Sequence, residues 1–172
     1  GTLNVALGYL ADAANTTGNS NTAIGAGALS SVTTSDSNTA IGSYALNLNT
    51  AANNVAIGRL ALYANTTGTE NVAVGTLAGD AITEGNYNVA IGYNALTTDT
   101  LGSRSVAVGR HALETQNFTT ATSVYNIGIG YNAGRLITTG TLNTLIGGLV
   151  GDSVTTGAAN TGVGYNSLGA NT

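Results

Sequence analysis

The feature that most constrains this chain is a five-residue motif, Asn-x-Ala-(Ile/Leu/Val)-Gly, that recurs ten times along its 172 residues. Seven of the nine gaps between successive motif glycines are 17 residues long, and the other two are 16 and 21. A short period held over a whole chain is typical of a solenoid, in which each unit buries itself against its two neighbours. We therefore expect a stack of coils rather than a globular catalytic domain. The motif glycines are Gly8, Gly25, Gly42, Gly58, Gly75, Gly92, Gly109, Gly130, Gly147 and Gly164.

Within the motif, branched residues alternate with Ala and Gly. This period of two predicts a short β-strand in each copy. We expect the branched side chains to face the coil interior and the small residues to line a smooth outer surface. The predicted interior column consists of Ile24, Ile41, Ile57, Val74, Ile91, Val108 and Ile129.

Two polar positions also recur with the repeat. Asn stands four residues before the motif glycine in nine copies, with Ser105 in the tenth, and identical amides stacked one strand apart can form a hydrogen-bonded ladder. The predicted Asn ladder includes Asn21, Asn38, Asn54, Asn71 and Asn88. Thr stands eight residues after the glycine at Thr16, Thr33, Thr50, Thr66, Thr83, Thr100, Thr138, Thr155 and Thr172. The prediction is an all-β fold, a parallel β-solenoid or β-roll of ten coils of about 17 residues each.

A further position predicts how the core is filled. Leu stands four residues after most motif glycines, but Gly79, Gly134 and Gly151 replace it in three copies. Those copies carry a β-branched residue three positions later, at Ile82, Ile137 and Val154. We interpret this exchange as conservation of core volume at one interior site. The Leu members are Leu29, Leu46, Leu62, Leu96 and Leu113.

The domain prediction is a single repeat array over residues 1–172, interpreted as a fragment of a longer fibre. Four extra residues enlarge the copy between Leu113 and Asn126, and they fall in a loop insertion around 114–124 that holds the only phenylalanine, Phe118. Insertions in solenoids map to surface loops. Two interpretations remain open, a simple variant of loop length and a recognition loop.

Composition excludes several functions. Charged residues make up 7% of the chain, Lys is absent and the net charge is −4, so the four arginines cannot form the cationic stripe that nucleic acid requires. No apolar run reaches the roughly 20 residues of a membrane span. Without Cys there is no thiolate site, and the single histidine, His111, has neither a nucleophile signature nor clustered carboxylates around it. We therefore expect no enzymatic activity, no cofactor, no metal site, no nucleic-acid partner and no membrane insertion.

The two positions after the motif glycine are the most variable in the repeat and carry most of the tyrosines. Tyr and Arg suit binding surfaces. The candidate surface-recognition residues are Tyr93, Arg110, His111, Phe118, Tyr131 and Tyr165. An equally good interpretation is that these tyrosines pack at a seam between chains.

Two related families resemble this repeat. Asn53-Asn54-Val55-Ala56-Ile57-Gly58 is similar to the head repeat of trimeric autotransporter adhesins, which forms a left-handed parallel β-roll assembled as a trimer. Asn88-Val-Ala-Ile-Gly-Tyr-Asn-Ala-Leu96, and the segments 21–29 and 38–46, resemble repeats of bacteriophage tail-fibre proteins more closely. This second resemblance covers essentially the whole chain.

The resemblance implies a structural shaft segment of a phage tail fibre that contributes to host-surface attachment. It also implies an extracellular or virion-surface location and a homotrimer, with a host-cell surface glycan or protein as a further partner. An open solenoid with little charge leaves apolar surface exposed as a monomer. We expect the Ala column to let three chains approach closely: Ala6, Ala23, Ala40, Ala56, Ala73, Ala90 and Ala107.

Two alternatives stay open. One is a bacterial trimeric adhesin or a secreted extracellular filament. The other is an ice-binding solenoid, which the Thr ladder motivates, although adjacent threonines such as Thr16 and Thr17 would point to opposite faces.

Overall fold

The computed structural model describes residues 1–169, which form an all-β solenoid without helices. Ten three-residue strands lie in one parallel sheet, each paired with the strand of the next coil, so the chain makes about nine turns between the first and the last strand. The fold prediction is therefore confirmed. The ten strands are β1 (Val5–Leu7), β2 (Thr22–Ile24), β3 (Thr39–Ile41), β4 (Val55–Ile57), β5 (Val72–Val74), β6 (Val89–Ile91), β8 (Val106–Val108), β10 (Ile127–Ile129), β11 (Thr144–Ile146) and β12 (Thr161–Val163).

The register keeps equivalent repeat positions in line. Ala23 pairs with Ala40 and Ile24 with Ile41, and the 16-residue gap does not disturb this alignment, since Thr39 pairs with Val55. The 21-residue gap is also accommodated, because Ile127 still pairs with Val106. Every repeat position therefore becomes a column of side chains along the solenoid, with neighbours about 4.8 Å apart.

The structure corrects the prediction of which strand face is buried. The central Ala of β2, β3, β4, β5 and β8 faces the interior and is fully buried. The residues Ile24, Ile41, Ile57, Val74, Ile91, Val108 and Ile129 are instead half-buried or exposed on the outer face. The predicted interior column and the predicted smooth Ala surface are both wrong.

The physical reason for this inversion is the narrowness of the coil. Opposite most strands, a second Ala and the Leu that follows it already occupy the interior, as Ala28 and Leu29 do. In β10, Gly128 takes the place of the central Ala, and even a single added Cβ there would lie 2.8 Å from Leu113 Cγ. Where the facing position carries Leu, the strand has room for little more than one methyl group, so the branched residues point outward; Leu145 fits in β11 because Gly134 and Gly151 leave space for it.

The predicted exchange of core volume is confirmed for two of its three members. Leu29, Leu46, Leu62, Leu96 and Leu113 are fully buried, as are Ile82 and Ile137. A Cβ added at Gly79 would lie 3.0 Å from Ile82 Cδ1, and one at Gly134 would lie 3.1 Å from Ile137 Cδ1. The isoleucine therefore enters the space that Leu fills in other coils.

In the third copy a different side chain fills the site. Val154 is only partly buried, and the space around Gly151 is occupied by Leu145, whose Cδ1 would lie 2.9 Å from an added Cβ. Leu145 stands where other strands carry Ala and is fully buried. The backbone supports the exchange, because the Leu members have φ near +50° and the three glycines have φ of 57–61°, a left-handed region that suits glycine best.

The Asn ladder forms with a geometry more specific than amide stacking. The Oδ1 atom of Asn54 accepts a hydrogen bond from the backbone N–H of Asn71 at 3.0 Å, and its Nδ2 donates to the carbonyl of Gly68 at 2.9 Å. Each buried amide therefore ties the start of its own strand to the next coil. The same N–H to Oδ1 bond links Asn21, Asn38, Asn54, Asn71 and Asn88 in succession.

The Thr ladder also forms, and its hydroxyls are used internally. Thr50 donates to the carbonyl of Thr66 at 3.0 Å, and Thr66 donates to that of Thr83 at 3.1 Å. The predicted member Thr172 lies outside the described residues.

The insertion adds a strand instead of a projecting loop. Gly102–Ser103 forms β7 and Thr122–Ser123 forms β9, and the two pair in parallel beside the main sheet. Phe118 is 7% exposed, and its carbonyl accepts the N–H of Leu101 at 3.0 Å. Phe118 is therefore a core residue of the enlarged coil, which corrects its assignment as a surface-recognition residue.

Candidate binding surface

A column of alternating aromatic and cationic side chains lies just beyond the carboxyl ends of three neighbouring strands, β6, β8 and β10. The Arg110 guanidinium lies over the ring of Tyr93 at 5.8 Å and over the ring of Tyr131 at 5.7 Å, measured to the ring centroids. These three residues follow the motif glycines of consecutive coils, so the stacking register alone brings them together. Four of the predicted recognition residues, including His111, thus lie in one place.

His111 packs beside this column and contacts both Tyr93 and Glu114. Its ring meets Tyr93 edge-on at 5.4 Å between centroids, and Nδ1 lies 2.8 Å from Glu114 Oε1. The Glu114 carboxylate also lies 3.9 Å from Arg135 Nη1. His111 is therefore held from two sides, by a ring and by a carboxylate.

The sequence prediction missed a second column at the other end of the same strands. The Arg104 guanidinium lies 5.2 Å from the ring centroid of Tyr87 and 5.7 Å from that of Tyr125. All three residues stand five positions before their motif glycines, and all three have positive φ, at 61°, 66° and 54° for Tyr87, Arg104 and Tyr125. An alignment of the repeats at this position would have shown the Tyr, Arg, Tyr order.

The two columns therefore flank β6, β8 and β10 on opposite sides. We call the six residues the Tyr–Arg band: Tyr87, Tyr93, Arg104, Arg110, Tyr125 and Tyr131. Each of its rings is about half exposed and both arginines are exposed. Arg104 and Arg110 are six residues apart, so their Cα atoms are at most about 20 Å apart.

The band concentrates the scarce positive charge of the chain. Three of the four arginines and the only histidine fall between residues 104 and 135. Among residues 1–169, Arg104 and Arg110 form no ion pair. Arg104 Nη1 donates to Ser123 Oγ at 2.7 Å, and Arg110 Nη1 makes a 3.4 Å bond with the Tyr131 hydroxyl. Both guanidinium charges are thus oriented but not neutralised.

Tyr165 does not belong to this band. It lies two coils beyond Tyr131 in the same column, with Gly148 between them, and it is 79% exposed. Its ring lies over Gly148, since a Cβ added there would be 3.4 Å from Tyr165 Cδ2.

A second surface is the outer side of the strands, which runs along the whole sheet and lies between the two columns at β6, β8 and β10. Each strand presents two outward side chains, a Val, Thr or Ile followed by an Ile, Val or Leu, and none of them is charged. We call this surface the outer aliphatic face. Its exposed members include Ile57 and Ile91, both at 38%.

The described residues offer little for other chemistry. Residues 1–169 contain no pocket and no group of three His, Asp or Glu side chains placed to hold a metal ion. No helix in this part of the chain is long and apolar enough to span a membrane. The buried acid Asp99 is structural, since its Oδ1 accepts the N–H of Phe118 at 3.0 Å and its Oδ2 accepts from Gln116 Nε2 at 2.5 Å.

The class of protein that this geometry defines is a parallel β-solenoid built from a 17-residue repeat. Comparison with known proteins adds no narrower assignment, because no family model, no curated protein and no solved structure matches the chain.

Proposed function

We propose that this chain is a non-enzymatic structural rod that assembles with copies of itself as a homotrimer. The observation that carries the proposal is the outer aliphatic face, which extends over all ten strands without a charged side chain. In this interpretation the rod is a shaft segment of a phage tail fibre, located at the virion surface or outside the cell.

The continuity and regular spacing of the face, rather than its area, support self-association. Ten strands span about 43 Å, and two outward residues per strand cover a width of about 10 Å. The resulting patch is on the order of 400 Å² per chain, within the range of the largest apolar patches on monomeric proteins, which are often functional. A second copy of the same chain can pack against this face, because its own outward side chains repeat along the rod with the same spacing.

The family resemblance favours three chains, and cyclic symmetry is compatible with that number. Closed cyclic assembly gives each copy the same contacts along the rod. The tail-fibre and adhesin repeats that this sequence resembles imply a trimer as well. The Ala column is buried and cannot form the contact between chains, so the outward branched residues provide the contact surface instead.

Light scattering coupled to size-exclusion chromatography tests the assembly. We expect a trimer at low micromolar concentration and a shift toward monomer for Ile91→Glu, which places a charge in the centre of the outer aliphatic face. Leu48→Glu is the matched control, because Leu48 is similarly exposed at 40% but lies outside the strands. A folded wild-type monomer, or equal effects of both variants, would contradict the proposal.

The alternatives predict other measurements. A bacterial trimeric adhesin or a secreted filament would share this assembly and differ in origin, which immunogold labelling of virions and cells distinguishes. The ice-binding alternative gains no support from the Thr ladder, because hydroxyls such as those of Thr50, Thr66 and Thr83 donate to backbone carbonyls. A thermal-hysteresis assay checks it directly.

A further inference from the structure

The Tyr–Arg band carries an inference that goes beyond the structural role of the rod. We propose that it binds acidic polysaccharide along each of its two columns, beside the outer aliphatic face rather than across it, with anionic groups on Arg104 on one side and on Arg110 on the other, and sugar rings against the flanking tyrosines.

The first argument is electrostatic. The chain has a net charge of −4, and residues 1–100 contain six Asp or Glu and a single Arg, whereas residues 101–172 contain three Arg and two acids. An unpaired cation in such a chain attracts an external anion. Arg104 and Arg110 are unpaired among residues 1–169 and exposed to solvent, so each is available to a carboxylate, sulfate or phosphate.

The second argument is preorganisation. Each guanidinium lies between two tyrosine rings, at centroid distances of 5.2–5.8 Å, and is also hydrogen-bonded, Arg104 to Ser123 and Arg110 to Tyr131. A side chain that is already ordered loses less entropy when it binds an anion. Arg59 occupies the same repeat position as Arg110, but among residues 1–169 no tyrosine ring lies over it. The stacking of a guanidinium between two tyrosine rings is therefore confined to Arg104 and Arg110.

The third argument concerns the shape and chemistry of the ligand. The site is an exposed surface without a pocket among residues 1–169, which suits an extended polymer rather than a small molecule. Half-exposed tyrosines offer both a ring face and a hydroxyl, a combination suited to the apolar faces and hydroxyl groups of sugar rings. Two unpaired cations without any Lys are too few for a nucleic acid. An acidic polysaccharide fits all three features.

Affinity electrophoresis of the full chain tests the proposal, with polygalacturonate as a carboxylated probe and dextran sulfate as a sulfated one. We expect both to retard the wild-type chain, and neutral dextran not to. The double variant Arg104→Gln/Arg110→Gln should bind at least about tenfold more weakly, which corresponds to about 1.4 kcal/mol. Arg59→Gln is the matched control for the loss of one charge and should bind as wild type does.

Several outcomes would overturn the proposal. Absence of retardation by both acidic probes, equal retardation by neutral dextran, or unchanged binding by the double variant would each do so. Equal binding of poly-glutamate would assign the band to acidic polypeptides instead. Loss of the oligomer in the double variant, with its far-UV spectrum unchanged, would identify the band as a seam between copies. Failure of the wild type to assemble while it still binds polygalacturonate would contradict only the proposed rod assembly.

Discussion

At the scale of single residues, the repeat is explained by three positions whose side chains must fit one another. The core Leu is fully buried in its coil, and the central Ala of the strand leaves room for it. The motif glycine stacks directly on the next one, because a Cβ at Gly58 would lie 2.5 Å from the carbonyl oxygen of Gly75. Its φ of +135° adds a second reason, since L-residues with side chains rarely adopt it.

Truncation of a core Leu should be costly. We expect Leu62→Ala to lower the free energy of unfolding by about 2–5 kcal/mol, because Leu62 is fully buried and the stacked coils limit collapse of the cavity. Chemical denaturation followed by circular dichroism measures the change. Leu48→Ala is the control, and a similar loss there would contradict the assignment of Leu62 to the core.

Substitution of a motif glycine should be costly for a different reason. Gly58→Ala is expected to lower the unfolding free energy by about 1–3 kcal/mol from the backbone alone, with the clash against Gly75 in addition. Gly148→Ala is the matched control, since its added Cβ meets only the Tyr165 ring, at 3.4 Å. Equal melting temperatures of the two variants would refute this account.

At the scale of elements, each strand is too short to be stable by itself and depends on the side chains that connect it to the next coil. The buried Asn at the start of the strand provides one such link. In the coil with Ser105, where the ladder Asn is replaced, Gln116 provides another: its Nε2 donates to Ser105 Oγ at 2.9 Å, and its Oε1 accepts from Asn126 Nδ2 at 2.8 Å. The longer side chain replaces the link that Ser cannot make.

Removal of one ladder amide should weaken the stack. Asn54→Ala leaves the buried N–H of Asn71 without its side-chain acceptor, at a cost of about 1–3 kcal/mol, and removes one of two donors to the Gly68 carbonyl, which keeps the bond from Asn65 Nδ2. Urea denaturation measures this loss. Asn117→Ala, at an exposed position of the enlarged coil, serves as the control and should change stability far less.

Two carboxyl groups should give the fold a distinctive pH dependence. Burial raises the pKa of Asp99 and of Asp80, and hydrogen bonds, to Gln116 and Thr97 respectively, oppose the shift only in part. At pH values between the pKa of these carboxyl groups in the unfolded chain and their raised pKa in the folded chain, the folded chain binds more protons than the unfolded chain. The free energy of unfolding therefore decreases as pH rises through that window. We expect the unfolding free energy to increase when pH is lowered from 7 toward 4.5.

Denaturation curves at the two pH values check this sign. The double variant Asp80→Asn/Asp99→Asn should show a flatter pH dependence. Lower stability of the wild type at pH 4.5 would contradict the burial of these carboxyl groups.

At the scale of the whole molecule, the solenoid is a one-dimensional array in which each coil contacts only its neighbours. Each strand of the main sheet pairs only with the strand before it and the strand after it. Stability in such an array is a sum of local terms, and damage to one coil spreads only to the adjacent ones.

Hydrogen exchange should reveal this locality. In Leu62→Ala, amides of β4 and β5 should lose protection while those of β10 and β11 keep it, because the intervening coils retain their own cores. Mass spectrometry of the exchanged chain resolves these segments. A uniform loss over all ten strands would show that the array unfolds as one cooperative unit.

The sequence by itself determined the features that depend only on spacing. The constant period required a stack of coils in register, the Asn column followed from it, and the Leu-to-Ile exchange at Gly79 and Gly134 was visible as conserved volume. Only the tertiary structure decided which face of each strand is buried. Alternation reveals that two faces differ, but the width left by the rest of the coil determines which one fits inside. A coil whose interior already holds Leu leaves room for Ala but not for Ile, and the stacking of successive repeats brings Arg104 between Tyr87 and Tyr125.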